Sequence, residues 1–371
     1  MGDRGIFEGV SKVGVGFMRL NPAKYKESGC QKILDDAINQ GVNYFESAYF
    51  YNKGRCDFIV RDLLSPYARH TYNLVNKMPT GNYLDSGMLP QRIFSEQLCR
   101  YNTDYFDFYL IQAISKRHIN LIKNTRVIEY LDSKKKSGQI KHFGFSFHDD
   151  PETLNLVLDM YDWEFVMIQL NWLDYFNGVA AGLVHILKER NIPFNAMCVT
   201  KGGLLQDTKR FPESVRRMTD KDMVEVAFSF NDVIGAKVQM QDLSDFYGVS
   251  KSVETLMTGK VFGKDGGVEH KSVLNRMAIE YRKQSLIPCT GCGYCEPHCP
   301  EKIPISDLFN HYNRVISNIP NNKKDLDAFV ERGFTSLYYQ KCRKCGMCMK
   351  NCPQGINIIK EITSTLFNYR Y

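Results

Sequence analysis

Along the first 270 residues, short apolar runs alternate with longer stretches in which apolar residues recur every third or fourth position. The short runs are KVGVGFM, VNYFES, TYNLVNK, FDFYLIQ, IKHFGFS, FVMIQLN and IPFNAMC, beginning near residues 12, 42, 71, 106, 140, 165 and 192. A weaker eighth, DLSDFYG, begins near 241. Compact runs rich in Val, Ile, Phe and Tyr predict strands. Between them, GCQKILDDAINQ, NTRVIEYLDSKKKSGQ and GLVHILKER have helical spacing. Strand–helix units in this succession predict an α/β protein with a (β/α)8 TIM barrel over residues 1–270.

In such a barrel, functional side chains stand where strands run into their following loops. Glu46 and Tyr51 follow the second run, Lys77 ends the third, Gln112 the fourth and Ser146 the fifth, while Gln169 and Asn171 end the sixth. Polar groups like these are costly to bury without partners. Their convergence on one rim predicts a polar pocket.

The cysteines point to a second kind of chemistry. Cys30, Cys56, Cys99 and Cys198 are scattered, and a lone Cys56 at a helix start reads as packing. The other eight form two groups, PCTGCGYCEPHCP and KCRKCGMCMKNCP, each spaced C-x2-C-x2-C-x3-C-P. That is the spacing of bacterial ferredoxins, in which three cysteines wrap one cubane cluster and the fourth reaches the other. It assigns Cys289, Cys292, Cys295 and Cys352 to one [4Fe–4S] cluster, and Cys342, Cys345, Cys348 and Cys299 to the second. A pair of zinc sites would need only C-x2-C pairs, not two matched sets closed by Cys-Pro. His298 reads as a neighbour of the cluster, not a ligand. Between the sets, ISDLFNHYNRVI and DLDAFVERGFTSLYY have helical spacing. Residues 271–371 are therefore expected to form a small, mainly α-helical ferredoxin-like domain.

Charge and composition narrow the setting. With 43% hydrophobic and 24% charged residues, the chain is an ordinary globular protein by composition. No apolar stretch is long enough for a membrane span and the start lacks the apolar core of a secretory signal, so a cytoplasmic location is expected. Residues 271–371 hold 15 Lys+Arg against 8 Asp+Glu, which accounts for the whole net charge of +7. Two readings of this excess stand. It balances the negative clusters, or it forms a docking face for an acidic redox partner. No nucleic-acid-binding motif accompanies it. Oligomeric state is open.

GVGFMRL, GVNYFESAYFY, LVNKMP, FDFYLIQ, GQIKHFGFSFHD, FVMIQLNW and TKGGLL, in this order and followed by the paired cysteine sets, resemble the aldo-keto reductase family, in the branch with a C-terminal ferredoxin domain. The resemblance covers nearly the whole chain. It implies an oxidoreductase acting on a carbonyl-type small organic substrate. The family uses an Asp-Tyr-Lys-His tetrad, in which tyrosine protonates the carbonyl oxygen as hydride arrives. Carried over, Tyr51 is the proton donor and Lys77 its partner. The aspartate position reads Glu46, longer by about 1.5 Å, and the histidine position reads Gln112, which cannot titrate. His118, six residues on, reads as a surface-loop histidine. NADP(H) would be held by Gly16, Met18, Arg19, Ser146, Gln169, Asn171, Lys201 and Gly203. Ser250, Lys251 and Ser252 in YGVSKSVETLMTGK would meet a phosphate, or simply cap a helix. The Arg or Glu-Asn pair expected downstream is replaced by Met257, Thr258 and Gly259. Electrons come from NAD(P)H, or singly through the clusters from a ferredoxin or flavodoxin. In a third reading, the protein is a non-catalytic electron-transfer or redox-sensing subunit.

Overall fold

In a computed structural model, the described residues are 5–20, 22–23, 25–26, 29–84, 86–203, 205, 220–242, 274–279, 281, 287–317, 340–352 and 354–365. The chain divides into two compact units, with the cut in its C-terminal part between Asn275 and Arg276.

Eight parallel strands close the first unit into a barrel in sequence order: β1 (Val13–Gly16), β2 (Tyr44–Glu46), β3 (Asn73–Met78), β4 (Phe106–Ile114), β5 (Ile140–Phe147), β6 (Phe165–Gln169), β7 (Phe194–Met197) and β8 (Gln239–Asp242). β8 closes the ring against β1, with Val13 opposite Gln239 and Gly16 opposite Asp242. Helices Cys30–Asn39, Val127–Lys136 and Ala180–Glu189 fall on the three predicted segments. The strands are buried on both faces, which is why most read as unbroken apolar runs. β4 is buried from Phe106 to Gln112.

The eighth strand lies upstream of its expected place. It runs over Gln239–Asp242, and DLSDFYG beyond Asp242 lies outside the described residues. Val238 and Met240 drop into the barrel core beside Tyr44, Val75, Phe108 and Met167, while an intervening glutamine breaks the apolar run that would have marked the strand.

Strand alternation fills the interior in layers. Gly14 makes room for its neighbours: a Cβ there would stand 2.8 Å from both the Met240 sulfur and the Tyr44 ring. At the N-terminal end, Phe7 stacks on Phe108 (5.3 Å between centroids) and meets Phe165 edge-on. The floor is thus sealed by aromatic packing. The inward series Tyr44–Glu46, Val75–Lys77, Phe108–Leu110–Gln112, Gly144–Ser146 and Phe165–Met167–Gln169 each change from apolar to polar toward the opposite end. There the site lies.

The second unit is small and helical, with helix Ile305–Ser317 as its main described element. Its core joins Ile303, Leu308, Phe309 and Tyr312 to Ile356, Ile358, Ile362 and the cysteines Cys289, Cys295 and Cys348. Asn313 pins the first cysteine loop to the helix, accepting from the Ile287 N–H (2.8 Å) and donating to the Ile287 carbonyl (2.6 Å). The expected helix DLDAFVERGFTSLYY lies outside the described residues.

Candidate active site and iron–sulfur ligands

Lys77 stands at the centre of the barrel mouth. Its ammonium pairs with the Glu46 carboxylate and donates to the Tyr51 hydroxyl at 3.0 Å. All three residues are buried, with 2%, 6% and 6% of their surface exposed. The longer glutamate reaches the lysine within this packing. Tyr51 is presented by a tight turn in which Asn52, Lys53 and Gly54 all take left-handed backbone (φ 53°, 60° and 80°). Phe50 packs edge-on against Tyr51 and stacks on Tyr83, giving the pocket an aromatic side.

Behind this turn, Asp57 acts as a buried anchor. Ser47 (3.0 Å), Asn76 (3.2 Å) and Tyr101 (3.0 Å) donate to one carboxylate oxygen, and Arg100 lies 3.4 Å from the other. Burial raises its carboxyl above the usual range, against these donors. Asn76 also accepts from the Lys77 N–H at 2.7 Å, so the same network fixes the strand that carries the lysine. Cys56, fully buried, donates to the Phe17 carbonyl (3.3 Å), and burial pushes its thiol up, as befits a packing residue.

β4 ends in an irregularity between Ile111 and Ile114. Ala113 takes φ 49°, Ser146 Oγ accepts its N–H at 2.8 Å, and Thr80 Oγ1 donates to the Gln112 carbonyl at 2.8 Å. A bulge of this kind re-aims the side chains around it. His118 is buried, contrary to the surface reading. Its Nδ1 lies 3.1 Å from both the Ala113 carbonyl and Ser115 Oγ, and Arg117 donates to Nε2 (3.0 Å). The turn after β4 folds back on itself and carries the ring inward.

The residues expected to hold a nicotinamide converge on an acid that sequence reasoning missed. Asp174 is ion-paired to Lys201 and accepts from Gln169 (2.6 Å) and Asn171 (2.8 Å). Burial works against its ionisation, but Lys201, Gln169 and Asn171 outweigh that and hold its carboxyl below the ordinary carboxylate range. Asn171 also caps the short helix Trp172–Asn177, accepting from the Asp174 N–H at 2.9 Å. An Asn followed three residues later by an acid is the signal that could have found Asp174. Gly16 closes β1, with Met18 and Arg19 half-buried in the turn beyond it, and Gly203 lies in the turn after Lys201. Ser250, Lys251 and Ser252 lie outside the described residues.

His148 was also missed. It follows β5 one alternation beyond Ser146, makes a hydrogen bond with Gln169 and feels the Lys77 charge. Its Nδ1 is buried without a partner. Burial first, then Lys77, lowers its pKa to about 4, so the ring is neutral at pH 7.

In the second unit, the two cysteine loops repeat one backbone at an offset of 53 residues. Gly291 and Gly293 in the first, like Lys344 and Gly346 in the second, have φ of 70°, 71°, 54° and 76°. Lys302 and Gly355, each three residues past the fourth cysteine, have φ of 52° and 62°. Cys299 lines one cleft together with Cys342, Cys345 and Cys348. The Cys295 thiol, raised chiefly by burial, also feels Cys292, Cys289 and Cys352. Each fourth cysteine thus stands with the other loop's three. Among the described residues no three His, Cys, Asp or Glu side chains close round a single ion. Four thiols gathered from two loops are the donor set that a cubane cluster takes. The first set is the more enclosed, with Cys289 and Cys295 buried, whereas Cys345 in the second is exposed.

Comparison with known proteins agrees with this architecture. Residues 12–291 match the aldo/keto reductase family, and residues 288–359 match the 4Fe-4S dicluster domain. The uncharacterized oxidoreductase YqkF of Bacillus subtilis is 27% identical over 261 residues, covering 67% of this chain and 79% of the relative. Among solved structures, aldo-keto reductase AKR11C1 from Bacillus halodurans superposes with a TM-score of 0.56 at 20% identity, covering 71% of this chain and 92% of that one. An aldo-keto reductase from Klebsiella pneumoniae in complex with NADPH does so with a TM-score of 0.56 at 18% identity, covering 72% and 91%. Among the described residues no helix is long and apolar enough to cross a membrane. An eight-stranded parallel barrel with this family match, continued by a dicluster module, identifies the chain as an oxidoreductase belonging to the aldo/keto reductase family.

Proposed function

We propose that this oxidoreductase reduces a carbonyl-type small organic substrate at the mouth of its barrel, with electrons supplied by NAD(P)H, by two [4Fe–4S] clusters, or by both. The barrel domain takes residues 1–270 and the iron–sulfur domain residues 271–371. The observation that carries the reading is the buried Lys77 ammonium, paired with Glu46 and 3.0 Å from the Tyr51 hydroxyl. A substrate oxygen set against Tyr51 gains negative charge as its carbon is reduced. Tyr51 gives that oxygen its proton, and Lys77 stabilises the phenolate left behind. Glu46 holds the lysine in place. Gln112 takes the family's histidine position as a hydrogen-bonding, non-titrating group.

Cys289, Cys292, Cys295 and Cys352 would hold one cluster, and Cys342, Cys345, Cys348 and Cys299 the other; such clusters supply one-electron transfer. A nicotinamide, held by Gly16, Met18, Arg19, Ser146, Gln169, Asn171, Lys201 and Gly203, would supply a hydride. One observation favours a second reading, in which a ferredoxin or flavodoxin is the donor. Lys201, Gln169 and Asn171 already serve Asp174, so a dinucleotide has to share them.

Tyr51→Phe tests the proposal. Across a panel of aldehydes and ketones, with NADPH or reduced flavodoxin as donor, turnover should fall at least about 100-fold, while iron content stays at the parent value. Unchanged turnover would remove Tyr51 from the chemistry.

A further inference from the structure

Charge is distributed unequally between the two cysteine loops. Residues 287–300 contain no Lys or Arg and one acid, Glu296, which is engaged with Ser306 at the start of helix Ile305–Ser317. Residues 340–352 contain Lys341, Arg343, Lys344 and Lys350, all exposed, and no acid. Lys302 and Lys360 are exposed close by in the chain. Glu301 pairs with Arg343 at 2.5 Å, but among the described residues no carboxylate pairs with Lys302, Lys344 or Lys350. Met347, 40% exposed, adds an apolar contact within the basic stretch.

A solvated charge run would explain basic residues at unstrained positions. Two of these lysines are not at such positions. At the repeat offset of 53, Lys344 corresponds to Gly291 and Lys302 to Gly355, and all four residues have left-handed backbone. Glycine adopts this conformation without cost, whereas lysine pays for its Cβ. Lys344 lines the quartet of Cys299, Cys342, Cys345 and Cys348, and Lys302, whose N–H donates to the Cys299 carbonyl, is joined to it through the Glu301–Arg343 pair. This is the quartet with the exposed ligand. Balancing buried cluster charge would call for cations at both quartets. Strain accepted twice at one quartet, for two cations that no described carboxylate pairs, marks a surface that meets something.

We propose that the surface bearing Lys302 and Lys344 is the docking face for an acidic one-electron carrier protein, and that electrons enter through the quartet beneath it. The proposal rests on the assignment of clusters to the two quartets. The exchange is a single electron leaving the reduced carrier, with no bond or proton changing hands. Opposite charge on the two faces steers the encounter and makes it salt-dependent.

The test uses the anaerobically purified full chain and an oxidised flavodoxin, an acidic flavin protein, with binding measured by titration calorimetry. Lys302→Gly and Lys344→Gly together remove two charges at positions where glycine suits the backbone, so the unfolding midpoint and iron content should hold. The proposal expects Kd to weaken by about tenfold in this variant, and by about tenfold in the parent between low and roughly 0.3 M salt. Exchanging Gly291 and Gly355 for alanine serves as the control at the other quartet and should leave Kd unchanged. Affinity unaffected by salt and by the lysine changes, in protein that keeps its iron, would overturn the docking face and leave the clusters standing. Protein without iron would overturn the cluster assignment itself, whatever the calorimetry gives.

Discussion

Removing Lys77 should cost the barrel more than any lost contact explains, because it strands a buried charge. In Lys77→Met, the Glu46 carboxylate, with a side chain 7% exposed, keeps its burial and loses its cation. Breaking a buried pair from one side costs about 3–5 kcal/mol, whereas replacing both partners by well-packed apolar groups of similar volume is close to neutral. Glu46→Leu strands the ammonium and should cost a similar amount. The double variant loses both charges and the Tyr51 hydrogen bond, a further cost of about 1 kcal/mol. The two single losses sum to at least about 6 kcal/mol, so the double variant should be more stable than that sum predicts by at least about 3 kcal/mol. Urea unfolding followed by tryptophan fluorescence measures this for the barrel alone. The sequence has two tryptophans, and both Trp163 and Trp172 are buried in the barrel unit. Single losses below about 1 kcal/mol, or additivity within about 0.5 kcal/mol, would refute the claim that the ion pair is buried and coupled.

Acid should weaken the barrel through His148. Its folded pKa is depressed to about 4, so the unfolded chain, titrating near its ordinary 6.5, binds the proton first. Stability should therefore fall as pH drops from about 6.5 toward 4, by up to about 3 kcal/mol, and His148→Asn should flatten that slope. An identical acid slope in the variant would rule His148 out. The crossed cysteine assignment predicts unequal iron losses from paired substitutions. Cys289→Ser with Cys352→Ser should remove about four irons, and Cys289→Ser with Cys342→Ser about eight, because the second pair spans both quartets. Equal losses would break the crossing. Gly14→Ala should destabilise the barrel by about 1–3 kcal/mol, since its Cβ would stand 2.8 Å from Met240 and Tyr44; unfolding at the parent urea midpoint would show that those side chains yield freely.

Strands buried on both faces leave a mark in the sequence that needs no partner to read, and β2 to β7 carry it. β8 does not, because glutamine interrupts the core positions Val238 and Met240. Glu46, Tyr51 and Lys77 were legible as polar residues ending apolar runs, and the structure brings them together. Asp174 and His148 were not, for different reasons. Asp174 sits inside a short helix and acquires its meaning from Lys201, which is remote in sequence but paired with it in the fold. His148 lies one step past the end of an apolar run, where only the period of two carried onward from Ser146 would point to it. His118 was misplaced because a turn stabilised by its own backbone, through Ala113 and Ser115, hides a ring that polarity alone puts outside. The cysteine spacing was the most legible feature: it groups Cys299 with the other loop's three cysteines, and the structure stands those four around one cleft.

Iron and acid-labile sulfide, counted in protein purified without oxygen, bear most directly on the electron-carrying account. Two quartets of cysteine predict about eight of each per chain. Zinc in place of iron, with no labile sulfide, would contradict it.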